Sequence, residues 1–149
     1  MNSPIQRYVI FFVASLLSCL LITVGFELWA WTNLRGKSLS YALSNSGDYL
    51  SAPGAAAFTY APFFVVGWIC ASLAQVSWSR ALGLFMICIS IFATMYYSAY
   101  MRSEAYMLKQ AWTAAALAVG LIPLETWPVL LGALAARLIL GRINVPAKN

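Results

Sequence analysis

Residues 8–31 read YVIFFVASLLSCLLITVGFELWAW, twenty-four residues with one charged side chain, Glu27. As an α-helix this stretch is about 36 Å long, enough to cross the ~30 Å hydrocarbon core of a bilayer. Two more stretches repeat the pattern. Ala55–Val76 and Ala81–Met101 carry no charge at all. Of the 149 residues, 62% are hydrophobic and 9% charged, against roughly 25% charged in a soluble domain. So few charges cannot cover a surface in water. The sequence predicts an all-α, polytopic transmembrane helical bundle forming a single domain over residues 1–149. Arg7 precedes the first apolar run, but no small-residue cleavage site follows. The run ends in the interfacial belt Glu27-Leu28-Trp29-Ala30-Trp31, so it reads as a retained span and not as a signal peptide.

Helices are expected at approximately 8–31, 55–76, 81–102, 106–122 and 127–143. Between the first two, Leu39, Ala42, Leu43, Tyr49 and Leu50 have a weak helical period, compatible with a short helix on the membrane surface or with a polar loop. Pro62 is easiest to place in a first turn, which would start the regular second helix near Ala61. Ser77–Arg80 is too short for anything but an antiparallel hairpin. The helix break at Pro123-Leu124-Glu125-Thr126-Trp127-Pro128 leaves four or five membrane segments. The last apolar region is one broken span with Glu125 at depth, or two short spans with Glu125 in an interfacial turn. Thr126 suits a helix cap in either case.

Basic residues weigh these arrangements. One broken span puts Arg7, Arg80, Arg137, Arg142 and Lys148 on one side, against Arg35, Lys37, Arg102 and Lys109. Two short spans gather seven basic residues on one side and leave only Arg7 and Arg80 on the other. The positive-inside rule then favours five crossings, with the N-terminus outside and the C-terminus in the cytoplasm. Short connections and minimal tails suggest a bacterial inner membrane.

Two ladders of small polar residues run along the first and third spans. They are Ser15, Cys19, Thr23, Glu27 and Ser90, Thr94, Ser98, Arg102. Steps of four keep each set on one side of its helix. One crossing separates the two spans, so they run parallel. Glu27 and Arg102 therefore end at similar depth. The ladders are expected to form a polar helix seam closed by a Glu27–Arg102 ion pair, or to present those charges to a ligand. Glu125, at the helix break, and Arg137, inside the last apolar run, are secondary candidates. Ala116, Gly120, Gly132 and Ala136 form small-residue pairs that permit close helix contact. Tyr96, Tyr97, Tyr100 and Tyr106 read as an interfacial belt.

Catalytic and cofactor chemistry find little support. Histidine is absent, the acids are Glu27, Asp48, Glu104 and Glu125, and Cys19, Cys70 and Cys88 form no CxxC pair. No metal constellation follows from these spacings, and no enzyme or cofactor is expected. The basic residues are scattered without a nucleic-acid-binding stripe. Two functions remain. One is a non-catalytic membrane subunit, assembly or accessory factor, or immunity- or exclusion-type protein, whose partners are the lipid bilayer and another membrane protein or a second copy. The other is a small oligomeric transporter or channel with Glu27 as its intramembrane acid.

Overall fold

The computed structural model describes residues 3–47 and 52–142. Asp48, Tyr49, Leu50, Ile143 and Lys148 lie outside them. Helices are the only regular elements among the described residues. Four are long and apolar enough to cross a membrane, as the sequence predicts for a polytopic α-helical bundle.

Helix α1 spans Pro4–Trp29. Ser3 starts it through a capping box: its Oγ accepts from the Gln6 amide, and the Gln6 side chain accepts from the Ser3 amide. Both bonds satisfy amides that a helix start leaves orphaned. The chain continues into a wider π-helical turn, Ala30–Leu34, closed by the Arg35 amide on the Ala30 carbonyl at 3.1 Å. Thr32 Oγ1 and Asn33 Nδ2 donate to the Leu28 and Trp29 carbonyls within it. A short helix α2, Leu39–Asn45, follows a Ser38 cap. Its Leu39, Tyr41 and Leu43 are exposed.

Helix α3 runs Pro53–Leu73 with Pro62 in its interior. The expected start near Ala61 is thus corrected: Pro53 occupies the first turn, where a missing N–H costs nothing, and Pro62 is tolerated further in. Helix α4, Trp78–Leu108, is 31 residues long, about 46 Å. It passes the expected end at Arg102 by six residues, because Ser103–Leu108 are helix-compatible and no breaker intervenes. The chain then reverses at Gln110, whose φ of 58° is left-handed. The expected helix over 106–122 is therefore divided: its first turn belongs to α4, and the remainder is α5, Trp112–Gly120. Next come the single turn α6, Ile122–Glu125, and α7, Trp127–Arg142.

Contacts define the directions. Phe11 of α1 meets Trp78 and Phe85 of α4, while Phe26 and Trp29 meet Tyr97. Helices α1 and α4 are therefore parallel, and α3 is antiparallel to both. Arg102 reaches Glu125, and Arg80 donates to the Leu140 carbonyl. The run α5–α6–α7 is thus antiparallel to α4, so α7 finishes beside the start of α4, at the end of the bundle where α1 also begins. Five crossings do not fit this geometry. At nine residues, α5 is about 14 Å long, too short to span. The last candidate span is Ile122–Arg142 alone, and Glu125 stands half exposed beside Arg102 at its start, so the broken span with Glu125 at depth is not adopted either.

The core lies between α1, α3 and α4. Phe63 and Phe92 meet edge to face at 4.8 Å and are fully buried with Val66 and Leu73. The tightest crossing is that of α1 and α3. A methyl group on Gly67 would overlap Ser15 Oγ and lie 3.0 Å from the Phe11 carbonyl oxygen. The hydrogen-only side chain lets the backbones approach. We expect Gly67→Ala to lower stability by about 1–3 kcal/mol through overpacking, read as thermal unfolding of the detergent-solubilised chain. Gly83 faces open space, so Gly83→Ala should cost nothing. Equal melting of Gly67→Ala and the wild type would contradict the crossing.

Candidate functional site: a polar cavity at one end of the bundle

The two ladders do not meet. Ser15, Cys19 and Thr23 are buried and face α3: Ser15 lies against Gly67, and Cys19 Sγ is 3.9 Å from the Thr59 carbonyl. Thr23 Oγ1 donates back to the Cys19 carbonyl at 2.8 Å. Ser90, Thr94, Ser98 and Arg102 are exposed on α4. Its inward stripe passes through Phe85, Cys88, Phe92, Tyr96 and Ala99. The polar ladder is offset from Cys88, Phe92 and Tyr96 by two residues, about 200° around the helix. Equal spacing gave both ladders one period but not one phase relative to the core.

The expected Glu27–Arg102 pair is therefore replaced by other partners. Arg102 faces Glu125 at 3.4 Å, with both side chains about half exposed. Glu27, half-buried on the last turn of α1, accepts from the Gly47 amide at 2.8 Å. Gly47 has φ of 82°, a conformation open to glycine, and this turn brings its N–H to the carboxylate. Arg35 follows the π-helical turn and reaches α4. Its guanidinium meets Glu104 at 2.6 Å, lies 4.3 Å over the Trp31 ring, and donates to Met107 Sδ. This pair is mostly buried, with side-chain exposures of 22% and 19%.

Glu27 and Arg35 line a cavity of about 490 Å³. Tyr96, Tyr100 and Ser103 of α4 add phenol and hydroxyl groups, while Phe58 and Thr59 of α3 close one side. Ala115, Ala116, Val119 and Gly120 of α5 form an apolar wall. The volume and the mixture of apolar walls with a few polar groups match small-molecule or side-chain binding sites. An acid, a guanidinium already engaged by an acid, two phenols and a hydroxyl can bind and orient a polar group at the edge of the bundle.

Sequence reasoning placed Glu27 at a site but missed Arg35, Tyr96, Tyr100 and Ser103. The signal was present for α4: Phe92, Tyr96, Tyr100 and Ser103 follow helical spacing on the face opposite the polar ladder. Arg35 was hidden by the π-helical turn, which no spacing announces. Of the secondary candidates, Glu125 sits outside the cavity in its exposed pair with Arg102. Thr126 is buried and donates Oγ1 to the Pro123 carbonyl at 2.6 Å; its side chain turns back into the break instead of capping α7. Arg137 donates Nε to Ser72 Oγ at 3.0 Å, at the other end of the bundle. No group of three metal-ligating side chains occurs among the described residues. Comparison with protein-family models, with curated proteins and with solved structures finds no match.

The pairing makes a quantitative prediction. Double-mutant cycles of unfolding should give Arg35–Glu104 a coupling of about 1–3 kcal/mol, as for hydrogen bonds to charged groups. Arg102–Glu125 should stay below about 1 kcal/mol, as exposed pairs do. Exchanging the charges of Glu27 and Arg102 together should recover nothing that the single reversals lose; recovery would argue for a direct contact.

Proposed function

We propose that this chain is a small non-catalytic integral membrane protein that works by binding within the bilayer. It acts as a subunit, an assembly or accessory factor, or an immunity- or exclusion-type protein that meets another membrane protein. The observation that carries the reading is that the bundle interior beyond the cavity is filled. Beyond Tyr96 and Thr59, the interior is filled by Phe63, Phe92, Phe85 and Phe11, each at most 5% exposed. A filled aromatic interior favours a docking site over a conduit.

The last span supports contact with a partner. Only 11% of its most apolar window is buried within the bundle, against 50% for α3. Its outward face carries Leu131, Leu134, Leu138 and Ile139, with Gly132 opening onto free space. Such a face accepts a neighbouring helix as readily as lipid. The bacterial inner membrane belongs to the same proposal and rests on the short connections of the chain.

One observation favours the second reading, an oligomeric transporter or channel. The Glu27 carboxylate lines the cavity, and an acid within a membrane bundle is a functional candidate by default. A second copy would then have to extend the path that one chain closes.

Isolation from native membranes in mild detergent, followed by mass determination, separates the two. A complex with a different membrane protein, heavier than the 16.3 kDa chain, is expected. A homodimer whose ion flux in proteoliposomes is abolished by Glu27→Gln would overturn the proposal in favour of transport.

A further inference from the structure

The two ends of the bundle treat charge differently. At the end holding the cavity, Arg35 is matched by Glu104 and Arg102 by Glu125. The opposite end gathers Arg7, Arg80, Arg137 and Arg142, where α1 and α4 begin and α7 finishes. No acid among the described residues lies there: Glu27, Glu104 and Glu125 all sit at the cavity end. The basic residues of the cavity end include Lys37 and Lys109, whereas those described at the opposite end are all arginine. Arginine is the side chain that grips phosphate oxygens with two parallel N–H bonds.

A groove of about 250 Å³ lies among these arginines, between the end of α3 and the end of α7. Arg137, Arg142 and Ser72 are its polar groups, and Leu73, Val76 and Leu138 its apolar ones. Arg137 is aimed by its Nε bond to Ser72 Oγ. Arg80 is held within a turn of the groove by its 3.0 Å bond to the Leu140 carbonyl. Gly141 lines the groove and leaves it open, with no atom within 4 Å of where a Cβ would stand.

We infer that this groove is a binding site for an anionic phospholipid. Its phosphodiester lies between Arg137 and Arg142, and its acyl chains run down the apolar side of α3 and α7. Basic pockets between membrane helices recognise such headgroups. Two arginines and no carboxylate line the groove among the described residues, so a lipid of net negative charge is preferred over a zwitterionic one.

Native mass spectrometry of the full chain, with phosphatidylglycerol or phosphatidylcholine added, tests this. Phosphatidylglycerol should be retained preferentially. Neutralising Arg137 or Arg142 to Gln should weaken its retention roughly fivefold per residue, while Arg102→Gln should not. Gly141→Leu should weaken retention with every charge in place, which separates the groove from simple charge attraction. Equal retention of both lipids by the wild-type chain would overturn the inference, and needs no variant to fold. So would displacement of phosphatidylglycerol by equimolar inorganic phosphate, or an equal loss in Arg102→Gln.

Discussion

Where Gly67 meets Ser15, α1 and α3 come closer than any larger side chain would allow, and the remaining helices are placed by that approach. A membrane bundle has little hydrophobic force to draw helices together, since lipid is as apolar as leucine. Close packing must supply the attraction. The buried steps Ser15, Cys19 and Thr23 keep this seam narrow along α1. On its flank, Phe63 of α3 then engages Phe92 of α4, and Phe11 of α1 engages Phe85. The seam also points the fourth step of the ladder, Glu27, into the cavity.

Much of this architecture was legible because the bilayer makes it so. Uncharged runs of about twenty residues have one reasonable fate in such a chain. The four-residue connection between the second and third spans likewise leaves only a hairpin. What resisted reading was phase. Ser90, Thr94 and Ser98 have the same spacing as Ser15, Cys19 and Thr23, yet face outward. The Thr94 hydroxyl needs no interhelical partner, because it donates to the Ser90 carbonyl of its own helix. A polar ladder in lipid therefore does not by itself declare which side is buried. The aromatic stripe of Phe85, Phe92 and Tyr96 on α4 does so more reliably, since its bulk must find complementary space.

Length was the second obstacle. Counting apolar residues ends the third span at Arg102, where charge begins. The helix ignores that boundary and carries Glu104 and Met107 onward to receive Arg35. This overhang also supplies the surface on which α5 folds back. The apolar content of α5 looks like part of a span, but the left-handed turn at Gln110 spends those residues on roofing the cavity. Charge counting favours five crossings only if α5 spans, and at nine residues it does not. In the folded chain, Arg35–Glu104 and Arg102–Glu125 pair at the cavity end, and no acidic side chain among the described residues lies at the other.

The bond between Arg137 and Ser72 has a consequence for how the chain enters its membrane. The first span has a mean hydropathy of 2.6 and the last only 1.4, so they differ in their ability to partition alone. An arginine within an inserting helix is penalised by the apolar phase. Ser72 belongs to α3, which is synthesised before α7 and already lies beside its landing place. The earlier helices thus provide the late one with a polar foothold.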